Sequence, residues 1–211
     1  MVPPPRGFWP NSRARSATRR YCSDANAGDS ALSAPVFDSR RGLQPGKSRP
    51  DRVSAAVGPR ARRAIAWLPE GETLYDAVVS AFLRFGVRAG AFSLLGGRLS
   101  TAAYHVAKPR DDSLRVVEYG PPIRIEGGAN IIRATGSYGD DLSGRPLLHI
   151  HGVLGETGGR AHGGHIAPDI CVIGSVDVRA VLNLTVGFKQ SADRETGFAL
   201  FFPFSEAAPN A

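Results

Sequence analysis

LLHIHGVLGETGGRAHGGHI, residues 147–166, contains four of the five histidines in this 211-residue chain. Its first half alternates with the period of a β-strand, which places His149 and His151 on one face. The glycine-rich run that follows is typical of a hairpin turn. A reversal near residues 157–158 would bring His165 opposite the first two histidines, to within one residue of register. The opposite face of the first strand is predicted to carry Leu148, Ile150 and Leu154.

This predicted hairpin gathers three imidazoles, because residues two apart on a strand are separated by roughly 6.5–7 Å. Three neutral imidazoles with an open fourth position form a suitable zinc environment, so His149, His151 and His165 are candidate metal ligands. The same nitrogens could instead hydrogen-bond to backbone or to a partner chain, as buried polar groups must. The residues alone leave both interpretations open. His162 is expected nearer the turn, and His105 is expected to be an ordinary strand residue.

Upstream, the stretch TLYDAVVSAFLRFG at residues 73–86 predicts an amphipathic helix. Thr73 followed by Asp76 fits an N-terminal capping box, and Gly86 suits the C-terminal stop. The face predicted to enter the core consists of Leu74, Val78, Ala81, Phe82 and Phe85.

Strand-like runs separated by Gly, Pro, Asp and Ser follow this helix, a pattern that favours a largely antiparallel sheet. One run, residues 176–186, fits either a strand or a second helix. One helix followed by many strands predicts the α+β class.

The net charge of +7 is unevenly distributed. Residues 1–65 hold 13 Lys and Arg against 4 Asp and Glu, whereas residues 66–211 hold 13 against 15, a net charge of −2. An argument for DNA binding from a basic sequence therefore applies only to the N-terminal part. Residues 1–63 are predicted to be a disordered basic tail, and residues 64–205 the folded domain. The tail also resembles a transit peptide, although we favour a disordered extension or a misassigned start codon.

The remaining features exclude several classes of protein. Cys22 and Cys171 lie far apart and form no paired motif, which predicts a reducing, cytoplasmic location. No apolar run approaches the roughly 20 residues of a membrane helix. The sequence contains no phosphate-loop, Rossmann or Gly-x-Ser-x-Gly motif, and Glu156 is expected to be a solvated turn carboxylate.

Several segments together resemble the PPC (plants and prokaryotes conserved) domain family. HIHGVLGETGGRAHGGHI is similar to the family's His-x-His strand, acidic-Gly turn and Gly-Gly-His signature. LPEGETLYDAVVSAFLRFGVRAGAFSLLGG is similar to its opening helix, strand and glycine turn. YGPPIRIEGGANI and ICVIGSVDV follow in order, so the resemblance covers about residues 66–190. The chain departs from the family where His162 replaces the usual Tyr and Arg124 replaces a carboxylate.

The resemblance implies a mainly antiparallel sheet with flanking helices that assembles as a homotrimer. It implies a DNA-associated or regulatory protein without enzymatic activity. It also implies a metal ion, for which Zn²⁺ is the candidate, at His149, His151 and His165. Two alternatives stay open: a zinc-dependent small-molecule binder or hydrolase using the same histidines, and a trimeric scaffold whose histidines hydrogen-bond across subunits. The predicted DNA contacts are the tail arginines Arg13, Arg15, Arg19 and Arg20.

Overall fold

The structure is a computed structural model that describes residues 44–47, 54–58, 62–110 and 115–205. These residues lie within one compact unit and form one helix and thirteen strands. The helix α1 is Leu74–Leu83. The strands are β1 Arg63–Leu68, β2 Gly90–Leu94, β3 Arg98–His105, β4 Ala107–Pro109, β5 Val117–Tyr119, β6 Ile123–Ile125, β7 Ala129–Asp140, β8 Pro146–Gly155, β9 Ala161–Ile166, β10 Val172–Ile173, β11 Val178–Asn183, β12 Val186–Asp193 and β13 Phe198–Ser205.

Eleven strands form one sheet, whose main path runs β1-β11-β2-β7-β8-β9-β3-β10. Every pairing along this path is antiparallel, which confirms the predicted sheet type. β4 and β5 form a separate ribbon, and β12 pairs with β13 and touches β7 through one parallel bridge. The described residues contain α1 alone where flanking helices were expected.

The ambiguous run at residues 176–186 is a strand over most of its length. Val178, Ala180 and Leu182 are buried on one face of β11, with the period of two that a sheet requires. β11 hydrogen-bonds to β1 on one side and β2 on the other. Pairing along both edges satisfies its backbone groups and decides the strand form.

The helix begins where its sequence predicts, and Gly86 follows its end. The Thr73 hydroxyl accepts from the backbone N–H of Asp76 at 3.0 Å and donates to the Asp76 carboxylate at 2.7 Å. Gly86 adopts a φ of +68° just after the helix, a conformation that glycine takes without a steric penalty. The prediction for Phe85 is wrong, because the helix ends at Leu83 and Phe85 is 40% exposed. The buried residues of α1 are Leu74, Ala77, Val78, Ala81 and Phe82.

The β8–β9 hairpin forms as the sequence predicts. In its turn, the Glu156 N–H donates to the Arg160 carbonyl at 2.8 Å. His151 lies directly opposite His165, which agrees with the expected register. On the inner face Leu148, Ile150 and Leu154 are at most 3% exposed, and burying each contributes about 1.5–3 kcal/mol to stability.

Two glycines precede His165 on β9, and the sequence allows a bulge there. The β8–β9 register is regular throughout, so no bulge forms. Gly164 is instead needed for close approach, because a Cβ at this position would overlap the carbonyl oxygen of His105 on β3. This contact holds β9 against β3 and positions His165 between its neighbours.

Most of the predicted tail, residues 1–63, lies outside the described residues, so its predicted disorder stays a prediction. Within the described part, the Gly46 N–H donates to the Glu195 carbonyl at 2.9 Å. The Arg62 N–H donates to the Thr185 hydroxyl at 2.7 Å, immediately before β1 begins. Chain segments on the N-terminal side of β1 therefore contact the connections between β11 and β12 and between β12 and β13.

Substituting Gly164 by Ala should destabilise the fold by about 1–3 kcal/mol, because the added methyl group overpacks the β9–β3 contact. Gly163→Ala is the matched control: its Cβ would meet only the Gly152 carbonyl oxygen at 3.4 Å, an ordinary contact. We expect that variant to stay within about 0.5 kcal/mol of the wild type. Urea unfolding measures both, and equal midpoints would contradict the role assigned to Gly164.

Candidate metal centre

The structure brings His149, His151 and His165 together on the face of the sheet opposite α1. Ring centroids are 4.8 Å apart for His149 and His151, 4.8 Å for His149 and His165, and 5.3 Å for His151 and His165. One ring nitrogen from each lies within 4.8 Å of the other two. Strand alternation on β8 and the opposed register of β9 produce this cluster.

His165 is the most enclosed of the three. Its Nδ1 is buried and has no hydrogen-bond partner among the described residues. Burial, followed by the imidazoles of His149, His151 and His105, lowers the pKa of His165 to about 4. Burial and then the His151 imidazole also lower the pKa of His149. Both rings are therefore neutral at neutral pH, which is the form that ligates a metal.

The donor set fits a divalent metal that prefers nitrogen. Imidazole is a ligand of zinc, copper, iron and nickel, and a tetrahedral zinc site places its nitrogens about 3.3 Å apart. The observed 4.8 Å limit is wider, so the rings must move inward to close on an ion. His149 and His151 are exposed and have room to rotate, whereas His165 is half-buried. His165, the least exposed of the three, has the least room to move and would be the fixed ligand of the set.

Two further side chains, which sequence analysis did not assign to the site, lie beside His165. The Tyr119 ring stacks on His165 with centroids 4.7 Å apart and an interplanar angle of 30°. His105 lies opposite His165 on β3, with ring centroids 6.1 Å apart. The His105 Nδ1 is 2.8 Å from the Gly120 carbonyl oxygen, an arrangement in which Nδ1–H donates and Nε2 carries the lone pair. Neither contact is local in sequence, so no spacing rule could have predicted it.

His162 is set apart from the three, as predicted. Its Nε2 is 2.9 Å from a Glu156 carboxylate oxygen, and its Nδ1 is 3.2 Å from the Tyr104 hydroxyl. His162 pairs with Leu154 in the register, which places it on the opposite face from His165. Glu156 is thus bound to His162 and is not an acid or base for the three-histidine cluster.

The cluster lies between two clefts. The first, of about 650 Å³, is lined by His149 and His151 together with basic, polar and apolar side chains, most of them from β1, β2, β7 and β11. The second, of about 430 Å³, is lined by His149 and His165 together with apolar side chains that include Phe198 and Leu200 of β13. His149 lines both clefts, so an ion bound by the cluster would be accessible from either side.

Comparison of the sequence with known domain families identifies the family of this chain. Residues 56–181 match the model of the Plants and Prokaryotes Conserved domain, which is abbreviated PCC or PPC. This chain belongs to the PCC domain family. The three histidines of the cluster and the hairpin that carries them all lie within the matched residues.

Solved structures show the same fold as this PCC domain. A metal-containing protein from Archaeoglobus fulgidus is 17% identical, with a TM-score of 0.53 over 72% of this chain and 99% of that one. A protein from Ralstonia eutropha JMP134, whose name proposes DNA binding, is 16% identical, with a TM-score of 0.52 over 65% and 88%. A similarly named protein from Bacteroides thetaiotaomicron is 13% identical, with a TM-score of 0.53 over 67% and 95%. No curated protein matches the sequence.

Other predicted features fall partly outside what the structure describes. The candidate DNA contacts lie beyond the described residues, as does Cys22. Cys171 is buried and unpaired, and burial raises the pKa of its thiol to about 11. Among the described residues no helix has the length and apolar character needed to span a membrane. The predicted DNA contacts are Arg13, Arg15, Arg19 and Arg20.

In metal-free protein, His165 should titrate near pH 4 instead of near 6.5, because burial and the adjacent imidazoles oppose its protonation. The unfolded chain then takes up this proton first as the pH falls. The His165 contribution to stability is therefore fully present above pH 6.5 and declines between about pH 6.5 and 4.

Proton–carbon correlation spectra of the histidine rings, recorded after EDTA treatment, measure this pKa directly. The His165→Gln variant assigns the resonance by its absence. A midpoint near 6.5 for the assigned ring would contradict the enclosed position of His165.

Proposed function

We propose that this PCC-domain protein binds a zinc ion at His149, His151 and His165 and uses the site for binding or regulation. The observation that supports this most strongly is the buried Nδ1 of His165, which has no partner among the described residues. Leaving such a group unsatisfied costs about 1–3 kcal/mol. Ligation of a metal together with the two facing imidazoles would remove that cost.

Among the described residues, the carboxylates near the cluster are each paired with another side chain. Among the described residues that line the two clefts, Glu118 is the only carboxylate. Its carboxylate pairs with the Arg110 guanidinium at 2.7 Å. Glu156, the other nearby acid, binds His162 on the opposite face. A hydrolase using the same histidines would have to rely on zinc-bound water alone, whose pKa a zinc ion lowers towards about 7.

Substituting any one of His149, His151 and His165 by Ala should lower zinc affinity by more than about 100-fold, since even residues that only orient a ligand are worth about 10- to 100-fold. The experiment is equilibrium dialysis of untagged protein against zinc, with elemental analysis of the retained metal. Wild-type protein should retain one zinc per chain.

His162→Ala is the matched control, because His162 lies three residues before His165 on β9 and faces the other side of the sheet. That variant should retain zinc at the wild-type level. Equal zinc loss in all four variants would point to a general folding effect. Absence of stoichiometric zinc in folded wild-type protein would refute the metal proposal.

The charge distribution favours a second candidate function, a DNA-associated role carried by the N-terminal residues. We propose that the arginines of residues 1–63 contact DNA phosphates, since the rest of the chain has a net charge of −2. The names of two solved structures of the same fold propose DNA binding for those proteins, which agrees with this proposal. Such binding would show little sequence preference, because phosphate contacts carry no base information.

Replacing four tail arginines by Gln should weaken duplex binding and reduce the slope of log affinity against log salt by about 0.9 for each lost contact. Gel-shift titrations at several salt concentrations measure both quantities. The control is a chain in which four exposed basic residues outside the tail are substituted, Arg84, Arg88, Arg160 and Arg179. An unchanged shift after the tail substitutions would refute the assignment. The substituted tail residues are Arg13, Arg15, Arg19 and Arg20.

We further propose that the chain forms a homotrimer in the cytoplasm. Exposed apolar side chains support self-association: Trp67 is 62% exposed and Ile65 64% on β1, and both line one cleft with Phe85, just beyond α1. Light scattering should give three times the chain mass of 22.4 kDa, and Trp67→Glu should reduce it. A wild-type mass of one chain would refute the trimer.

A further inference from the structure

The cleft of about 650 Å³ beside the histidine cluster is built on directly opposed strand positions. Ser93 on β2 lies opposite Thr135 on β7, which lies opposite His151 on β8. Ser137 on β7 lies opposite His149 in the neighbouring row. Directly opposed residues project from the same face, and adjacent strands are about 4.8 Å apart. Hydroxyl groups therefore lead across the sheet to two of the three imidazoles.

The charge of this cleft is positive. Arg133 lies two residues before Thr135 on β7, with the buried Ala134 between them, so both side chains leave the same face. Arg63 lines the far end at β1. None of the described residues that line the cleft is Asp or Glu. Neither arginine has an ion-pair partner among the described residues.

The neutral groups add further donors. The Asn183 side-chain oxygen accepts from the Thr185 N–H at 3.2 Å, which leaves the Asn183 amide NH₂ to bind a ligand. The Ser93, Thr135 and Ser137 hydroxyls have no protein partner among the described residues. A cleft with two guanidinium groups, one amide and three hydroxyls, and no acid, is complementary to an oxyanion.

The occupant is a small molecule and not a polyanion. The volume lies within the range of about 300–1,000 Å³ that is usual for small-molecule sites. Residues 66–211 have a net charge of −2, which does not favour binding of a polyanion such as duplex DNA to this part of the chain.

We propose that this cleft binds a small organic molecule through an oxyanion group, carboxylate or phosphate. Arg133 holds the oxyanion with a bidentate guanidinium contact, the hydroxyls of β2 and β7 complete its hydrogen bonds, and the other end of the molecule reaches the ion at His149 and His151. Only this last contact rests on the proposed zinc site. The oxyanion contact stands on the cleft residues themselves.

The experiment titrates the full-length protein with inorganic phosphate and, separately, with acetate, and follows backbone amides by TROSY spectra. Shifts should concentrate at the amides of Ser93, Thr135 and Ser137. Arg133→Gln should weaken the affinity by about tenfold or more, because it removes a charged hydrogen-bond pair. Arg133→Lys keeps the charge but loses the planar fork, and should give an intermediate loss. The stronger of the two anions identifies the ligand class.

Arg160→Gln is the matched control: it removes one positive charge from a side chain that is 77% exposed and lies outside the cleft. It should leave the affinity unchanged. Equal effects of Arg133→Gln and Arg160→Gln, or shifts spread over the whole surface, would overturn the proposal. Cleft shifts produced by duplex DNA but by neither anion would overturn it as well. So would a change in oligomer mass in Arg133→Gln without anion binding, since a second chain would then cover this face.

Each titration is performed on EDTA-treated and on zinc-loaded protein, which separates this inference from the zinc proposal. Anion binding that depends on Arg133 in EDTA-treated protein supports the inference even if zinc does not bind. Zinc binding without an anion response in either preparation overturns the inference and leaves the zinc proposal standing.

Discussion

Antiparallel pairing of β8 with β9 places His151 directly opposite His165, and the whole candidate site depends on that register. A slip of one residue would turn His165 to the other face of the sheet and separate the three imidazoles. Two features hold the register: a five-residue turn that contains two left-handed glycines, Gly158 and Gly159, and the close packing of Gly164 on the β3 backbone. These two features fix the backbone that carries the three histidines, whereas the exposed rings of His149 and His151 have room to rotate.

The same hairpin also forms part of the hydrophobic core. Leu148 and Ile150 point inward beneath His149 and His151, so one strand contributes to the folding energy on one face and to the site on the other. Burial of the inner residues orders the backbone before any ligand binds. Such preorganisation lowers the entropic cost of bringing three side chains to one ion.

Charge is distributed unevenly along this chain, and each candidate function belongs to a different part of that distribution. The N-terminal residues carry the excess of arginine, whereas residues 66–211 have a net charge of −2, and Arg63 and Arg133 line a cleft whose described residues include no Asp or Glu. A diffuse basic segment suits a polyanion that is read without sequence, and a local pair of guanidinium groups beside polar hydroxyls suits a single small anion. The histidine cluster borders the second of these environments.

The sequence by itself determined the elements whose signals are local. Alternation in residues 147–153, the glycine turn and the Thr73 cap predict the hairpin, the paired His149 and His151, and the start of α1. The family resemblance, carried by contiguous motifs, is also confirmed. Phe85 was misplaced because helical periodicity does not show at which residue a helix ends.

Only the tertiary structure decided which distant strands lie side by side. The pairing of β3 with β9 brings His105 to His165, and the position of β5 brings the Tyr119 ring onto the same imidazole. The pairing of β2 with β7 lines the cleft beside the histidines, and the pairing of β11 with β1 and β2 made residues 176–186 a strand. Such contacts are set by sheet topology, which depends on the burial of the whole core and has no signature in any short stretch of sequence.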